Sequence, residues 1–578
     1  MTTKKVSEKF FAADLLIIGS EGAGARAAIE AAKYNISVIC VTKGFLAKSG
    51  ATLTAGTDID VDSKSITELI GMVGDVRDSK DLFLEDVVIE GDYVNDQSIV
   101  ERHVEDAAVR IKELIDWGMK AWGPTLAPGH RYPRGIFSTG VEVAKALVRQ
   151  LRKCSPPVQL MQNIMITDLL TSGNSVTGAA GIDLCSGEFV VFKAKAIIIA
   201  TGGGQRIYPY STAPEELTGD GLAMAYRAGA ELMDVQFVQF LTSTFRYPPI
   251  TTMSVNPLLV AGVWLLNNRG DRFMRFWDSA RMESSTRDVV ASAIMNEIVE
   301  GRGWEDERGG WVYMSLKHMP DNIIDDFALK SFQIPREFWE GMKRNAIPCF
   351  SASHFFCGGI AINENCEASL EGLYAAGEVA AGLNGANRLS GNAITQTQVQ
   401  GAIAGKMAAE YAQKTKQGNI ENTQLETIKT TLFSPLERMD GSNAIQLKRQ
   451  IQKLSWENIG VVRQGQWIEN ALKEIDQLKK ECSQIAVQTK TRIYNREWLD
   501  ALQVRNMIEV AEMVARGALM RTESRGVHYR KDFPVTDNDQ WLKNIIFRQV
   551  NDNMQLTTRP VKITKFEPPS GKVQYPRR

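Results

Sequence analysis

The stretch Asp14-Leu15-Leu16-Ile17-Ile18-Gly19-Ser20-Glu21-Gly22-Ala23-Gly24, followed after an alanine-rich run by Ser37-Val38-Ile39-Cys40-Val41-Thr42-Lys43, reads as strand, glycine turn, helix and strand. Leu15 to Ile18 is a continuous apolar run, as expected of a strand buried on both faces. Ala25, Ala27, Ala28, Ile29, Ala31 and Ala32 suit a helix packed close on a sheet, and Val38 to Val41 reads as the next parallel strand. Such a βαβ unit offers a pyrophosphate the free N–H groups and positive dipole end of a helix. The pattern departs from G-x-G-x-x-G at its second glycine, which is Glu21, with Gly22 next to it. A carboxylate there must point away from a bound dinucleotide or repel it. A plain βα turn without ligand is the alternative reading of this stretch alone.

The chain around this unit has 578 residues, enough for ~3–4 domains and a large core. Its 67 basic and 68 acidic residues balance, so no nucleic-acid or polyanionic partner is expected. No apolar segment approaches the ~20 residues that span a bilayer. Met1 to Phe11 is short, mixed in charge and without a signal peptide's apolar core, so a cytoplasmic location is expected. The seven cysteines (40, 154, 185, 349, 357, 366, 482) form no CxxC pair, and the five histidines (103, 130, 318, 354, 528) show no ligand spacing. No metal or internal iron–sulfur site is predicted, so redox chemistry falls to an organic cofactor.

Phe45 to Ser63 is largely small and polar and reads as a loop able to lie against a flat ring. Helical patterning covers Leu82–Val94, Ile99–Trp117 and Val141–Lys153, and strand-rich segments cover Val158–Leu170 and Ser175–Lys193. A second buried strand ends in glycines at Ala194-Lys195-Ala196-Ile197-Ile198-Ile199-Ala200-Thr201-Gly202-Gly203-Gly204, and Thr218-Gly219-Asp220-Gly221 opens a helix. From about Gln236 to Phe350 the composition turns richer in Trp, Phe, Pro and Arg, which reads as an inserted cap. Gly372 to Glu378 returns to a strand-to-helix turn, and helices dominate Thr395–Thr415 and Gln424 to about Leu519. Arg521–Pro534 reads as a charged loop, and Thr557–Arg578 as an extended basic tail wrapping a surface or a partner.

These segments, in order, resemble the flavoprotein subunit of the succinate dehydrogenase / fumarate reductase family, with L-aspartate oxidase and the adenylylsulfate reductase flavoprotein as relatives. The resemblance runs through the N-terminal βαβ, Ala200-Thr201-Gly202-Gly203, Thr218-Gly219-Asp220-Gly221, Asp271-Arg272-Phe273-Met274 and Thr286-Arg287-Asp288-Val289-Val290. It continues through His354-Phe355-Phe356-Cys357-Gly358-Gly359-Ile360, Gly385-Ala386-Asn387-Arg388-Leu389-Ser390-Gly391-Asn392 and Arg521-Thr522-Glu523-Ser524-Arg525-Gly526-Val527-His528. The implied fold is α/β: an FAD-binding Rossmann-like (glutathione-reductase-type) domain with an inserted α+β capping domain and a C-terminal helical domain. The expected divisions are 1–235 and 351–420 for the FAD domain, 236–350 for the cap, 421–535 for the helical domain and 536–578 for an extension.

The resemblance also implies where FAD lies. Gly19, Gly22 and Gly24 should face its pyrophosphate, Thr42 and Lys43 its adenosine side, and Ser49, Gly50 and Ala51 its isoalloxazine. Thr201 and Gly202 should pass beside the dinucleotide, while Asp220 and Glu378 bond the ribityl region. Ser390, Gly391 and Asn392 should set a helix N-terminus against the N1–C2=O edge. Family members that attach FAD covalently carry Ser-His-Thr where this chain has Ser49-Gly50-Ala51, so noncovalent FAD is expected.

Three family positions for chemistry are filled. His354 and Arg388 match residues that hold a substrate carboxylate through charge-assisted hydrogen bonds, and Arg287 matches the arginine that delivers the proton opposite flavin N5. A structural salt bridge of Arg287 with Asp288 or Glu283 is the competing reading. The family's second carboxylate pocket is altered. Gln239-Phe240-Leu241-Thr242-Ser243 lacks its histidine, its Thr-Glu falls near Val255-Asn256, and its relay arginine falls near Leu259. Arg246, Tyr247 and Asn256 are candidates to rebuild a pocket, and Phe245, Tyr247, Pro248, Pro249, Leu258 and Trp264 either line it or form cap core.

The expected activity is therefore FAD-dependent reduction or formation of a C=C bond next to a carboxylate, on a small carboxylic acid other than plain fumarate. Sulfur chemistry like that of adenylylsulfate reductase and a pure electron relay are the alternatives. The family further implies an iron–sulfur partner subunit, with membrane contact only through partners; the basic tail and Arg521–Arg530 are candidate docking surfaces.

Overall fold

The computed structural model describes residues 7–246, 259, 262–307, 309–330, 340, 343–344 and 346–575. Strand β1 (Glu8–Ile18) is followed by α1 (Gly22–Ala31), β2 (Val38–Thr42) and β3 (Gly56–Asp60). Helices α2 (Lys80–Glu90) and α3 (Gln97–Asp116) precede strands β4 (Gln159–Gln162), β5 (Ile164–Ser172), β6 (Ser175–Asp183) and β7 (Phe189–Ile199). Helix α4 (Asp220–Arg227) comes next.

The main sheet runs β4-β2-β1-β7-β6-β5, and a later strand, Leu373–Ala375, joins the C-terminal end of β7. Leu15 to Ile18 pair in parallel with Val38–Val41 on one side and Ala196–Ile199 on the other. That two-sided pairing is why the run is apolar without alternation: each of the four side chains is at most 4% exposed. Burial of such a side chain contributes about 1.5–3 kcal/mol.

The cap is a second sheet built on β8 (Val238–Phe245), crossed by α5 (Arg287–Val299) and completed by β9 (Gly309–Ser315) and β10 (Ile347–Phe356). Because β10 runs unbroken through residue 350, one strand carries the chain out of the cap and ends beside the cofactor cleft. Beyond β11 (Leu373–Ala375), α6 (Asn392–Lys414) lies against α1. Their close approach needs Gly401 and Gly405, whose added Cβ atoms would stand 2.6 Å from the Ala23 carbonyl and 2.4 Å from that of Ala27. The helical segment is α7 (Asn422–Glu437), α8 (Ala444–Asn458), α9 (Gly465–Cys482) and α10 (Arg496–Met520).

Two expectations change, and a third, left open between a surface and a partner, is decided. The 45–63 segment is not all loop, since Ala51–Thr54 is a helical turn and β3 pairs with Gly135–Thr139. The Arg521–Arg530 stretch is no docking surface: Arg521 and Arg525 are fully buried on Glu523 at 2.8 and 2.7 Å, and Arg530 pairs with Asp532 at 2.7 Å. A run of charges reads as solvated in sequence, but here both signs are buried together as pairs. Lastly, the C-terminal extension binds its own chain. Strands Lys543–Val550 and Asn553–Pro560 form a hairpin seated on Leu232–Met233, Gln97 Oε1 accepts three backbone N–H bonds from residues 564–566, and the Tyr575 hydroxyl donates to the Gly526 carbonyl at 2.8 Å.

Candidate active site

The C-terminal ends of β1, β2 and β7 open on one cleft, walled by Gly19, Gly22, Thr42, Lys43, Ser49, Gly50, Ala51, Thr201, Gly202, Asp220 and Glu378. Eleven of the fourteen cofactor positions expected from sequence thus meet in one place. Gly19 has φ +105°, and a Cβ there would stand 2.2 Å from the Ala200 carbonyl, so only glycine lets the two strand ends close. Gly24 differs from expectation: its missing Cβ would lie 1.8 Å from the Gly19 carbonyl, so it seats α1 on β1 and does not wall the cleft. Asn392 is also set back, its amide oxygen 2.7 Å from His103 Nε2.

Several cleft groups are buried without a partner, as a polar ligand requires. Ser20 Oγ, Glu21 Oε1 and Thr201 Oγ1 have no hydrogen-bond partner among the described residues. Asp220 takes Lys43 Nζ at 2.7 Å on Oδ2, and Thr218 Oγ1 and Asn506 Nδ2, both at 2.8 Å, on Oδ1. Glu378 Oε1 accepts from the Phe356 N–H at 2.9 Å and from Gln205 Nε2, and burial raises this carboxyl to about 7. A cleft with the N-terminus of α1 at one end and unpaired hydroxyls along its wall fits a dinucleotide.

Next to it, two arginines converge on one amide. Arg287 Nη1 donates to Gln239 Oε1 at 3.3 Å and Nη2 to Ser390 Oγ at 2.9 Å, while Arg388 Nη2 donates to the same Gln239 Oε1 at 3.4 Å. Gln239 is held in turn, its Nε2 donating to Asn387 Oδ1 at 2.7 Å and to the Arg388 carbonyl at 2.8 Å. Arg388 stacks on Phe355 at 4.6 Å and lies 3.2 Å from His354 Nε2. A guanidinium only donates, so Nε2 accepts and the His354 proton sits on Nδ1, 2.7 Å from Thr212 Oγ1. Burial, then Arg287 and Arg388, hold His354 well below the ordinary imidazole range. It is a neutral support for Arg388, where sequence suggested a charged donor.

Burial, then repulsion from Arg388, lowers Arg287 to about 9. Neither salt bridge of the competing reading forms: Glu283 pairs with Arg272 at 2.6 Å, and Asp288 Oδ1 accepts from Asn387 Nδ2 at 3.0 Å. The acids that do face the guanidiniums are not singled out by the sequence. Asp60 is fully buried, and neither of its oxygens accepts a hydrogen bond among the described residues; burial, then Asp58, pushes it well above the ordinary carboxylate range. His130 Nε2 lies 3.5 Å from Asp60 and 2.8 Å from the Ser390 carbonyl. The signal available was the alternation Asp58-Ile59-Asp60, which puts both acids on one face of β3.

At the two described positions of the altered carboxylate pocket the side chains are buried leucines. Leu241 and Leu259 are each 4% exposed. Arg246 is occupied by Asp306 at 3.0 Å and lies over the Tyr210 and Phe350 rings, Phe245 is core, and Trp264 stacks on His318 at 4.0 Å. Tyr247, Pro248, Pro249, Val255, Asn256 and Leu258 lie outside the described residues.

Comparison with known proteins accords with this geometry. Residues 14–394 match the family model of an FAD binding domain, and 448–575 match the fumarate reductase flavoprotein C-terminal model. The chain is 33% identical to a fumarate reductase (CoM/CoB) chain of Methanothermobacter marburgensis, covering 94% of this chain and 98% of that one. It is 30% identical to a fumarate reductase flavoprotein subunit of Mycobacterium tuberculosis, over 96% and 98%. Among solved structures it is similar to Escherichia coli quinol fumarate reductase FrdA, with TM-score 0.89 and 26% identity over 97% of this chain and 99% of that one. Adenylylsulfate reductase of Archaeoglobus fulgidus shares the fold at TM-score 0.78 and 18% identity. With a cofactor cleft, a buried arginine pair and matches along its whole length, the chain belongs to the fumarate reductase / succinate dehydrogenase flavoprotein family, FAD-dependent oxidoreductases acting on CH–CH groups.

Proposed function

We propose that this flavoprotein reduces, or forms, a C=C bond beside the single carboxylate of a small acid other than plain fumarate. The observation that carries the reading is the convergence of Arg287 and Arg388 on Gln239 Oε1, together with the burial of leucines at 241 and 259, where the family's second-carboxylate residues are expected. A carboxylate displacing that neutral amide oxygen gains two guanidinium partners, each charged hydrogen bond being worth about 1.5–3 kcal/mol. A second carboxylate would lack the polar partners that these two positions supply in the family, at a desolvation cost that disfavours a dianion.

FAD, held noncovalently in the cleft, supplies hydride chemistry at N5. The residues expected from sequence take these roles: His354 braces Arg388, Arg388 holds the substrate carboxylate, and Arg287 gives the proton to the adjacent carbon. With Arg287 at about 9 against 12.5, its proton leaves more readily by roughly 4–5 kcal/mol. Asp58 and Asp60 face the neutral guanidine that remains once the proton has left, so the proton can be restored from the β3 side. The chain works with an iron–sulfur subunit, in line with relatives described as subunits and with its own scattered free cysteines. No helix among the described residues is long and apolar enough to cross a membrane, so any membrane contact of this cytoplasmic chain is made through partners.

The names of the relatives favour a second reading, with fumarate itself as substrate. Anaerobic photoreduced protein mixed with crotonate, other monocarboxylic enoates and fumarate separates the two. The expected result is flavin reoxidation faster with a monocarboxylic enoate than with fumarate. Reoxidation fastest with fumarate refutes the proposal, and flavin bleaching by sulfite with AMP would point to sulfur chemistry instead.

A further inference from the structure

Glu21 stands where the phosphate-binding turn has a glycine, immediately ahead of the first residue of α1, and its side chain forms part of the cofactor cleft wall. It does not turn away to solvent. Its Cγ lies only 2.5 Å from where a Cβ of Gly50 would be, so the chain is folded in beneath the 44–51 segment, and φ +86° at Gly50 keeps that segment pressed on it. Its Oε1 is buried with no hydrogen-bond partner, and no cation pairs with it among the described residues. A dianionic pyrophosphate arriving at the N-terminus of α1 would meet this carboxyl at close range in a poorly solvated site. Two like charges there cost several kcal/mol even at an effective dielectric constant of about 20.

We propose that Glu21 enters the FAD complex as a neutral carboxylic acid, so that binding FAD requires one proton on this side chain and weakens as pH rises. The neutral form turns a repulsive oxygen into an O–H donor, which the unpartnered Oε1 is free to supply to the ligand.

The surrounding groups agree. Burial, with Glu216 nearby, raises Glu21 to about 8 against a single opposing N–H bond from Ala47. Lys43, the cation just past the end of the neighbouring strand, is already bonded to Asp220 and to the Glu216 carbonyl. Cys40 on β2 has its thiol pushed up to about 12, by burial and then by Glu21, and stays uncharged. Glu378, across the cleft at about 7, is the other acid able to titrate on FAD binding, and it is the control.

The test is a fluorescence titration of flavin-stripped full-length protein with FAD from pH 6.5 to 9. If only the protonated form binds, the apparent Kd rises as the competent fraction falls, about tenfold across this range for a group near 8. Glu21→Gln keeps the shape and removes the titration, so its Kd should stay flat and within about threefold of the wild-type value at pH 6.5. Should Glu21→Gln fail to fold by circular dichroism, Glu21→Gly, which restores the glycine of the motif, should give the same flat profile. A wild-type Kd that does not change with pH, or a slope that survives both substitutions and so belongs to Glu378, overturns the proposal.

Discussion

Replacing Gln239 by leucine tests whether this amide is the keystone of the arginine pair. The substitution nearly conserves volume but deletes four hydrogen bonds: two donated to Asn387 Oδ1 and the Arg388 carbonyl at 2.7 and 2.8 Å, and two accepted from Arg287 and Arg388 at 3.3 and 3.4 Å. The two short bonds are worth about 1 kcal/mol each. The two long ones count for less than the usual charged bond, because both guanidiniums keep other acceptors at Ser390 Oγ and the Leu389 carbonyl. The expected loss is about 2–4 kcal/mol. A chain of 578 residues has an unfolding entropy near 1.2 kcal/mol per degree, so the holoprotein should melt about 2–3 °C lower. Differential scanning calorimetry checks this. The companion Gln239→Glu places a carboxylate between the guanidiniums and occupies the anion site, so crotonate should perturb its flavin spectrum at least about tenfold more weakly than in wild type. Melting of Gln239→Leu within about 0.5 °C of wild type, with crotonate binding intact in Gln239→Glu, would refute the reasoning.

Arg287→Lys should leave photoreduction of the flavin unchanged but slow its reoxidation by the best enoate about 100- to 10,000-fold, the usual contribution of a placed proton donor. In the wild type that reoxidation should fall above about pH 9, because the donor must carry its proton and Arg287 lies near 9; stopped-flow traces from pH 7 to 10 read both effects. Gly24→Ala drives a methyl to 1.8 Å from the Gly19 carbonyl, a backbone atom that cannot yield without moving α1 off β1. It should destabilise the protein by about 1–3 kcal/mol and release FAD on gel filtration, whereas Gly123→Ala, where φ is not positive and a Cβ meets nothing within 4 Å, should retain it.

Much of the cofactor cleft is legible in sequence because its determinants are local. An apolar run such as Leu15–Ile18, ended by a glycine turn, reads as a strand paired on both sides, and glycines at 19, 50 and 202 occupy backbone with positive φ. The cap is legible as a change of composition, but not in its topology, since β10 is continuous through residue 350. Charge placement is where composition misleads. Arg521 to Arg530 reads as a surface, yet its arginines are buried against acids in the same short segment. Gly24 reads with its neighbours as facing phosphate, although what decides its role is the Gly19 carbonyl on the other side of the turn.

By itself, the order of residues determined that a βαβ dinucleotide unit lies near the start of the described chain and that a buried second strand and a terminal helical segment complete it, and it singled out Arg287, His354 and Arg388 as candidates. Tertiary structure alone decided that Gln239, drawn from the cap sheet, joins two guanidiniums, that Asp58 and Asp60 face them from β3, and that His354 is neutral. Those outcomes depend on distances between residues far apart in the chain and on how much water is left around them. Periodicity reports which face of an element is buried, but the protonation of a buried group depends on what the opposite wall places beside it.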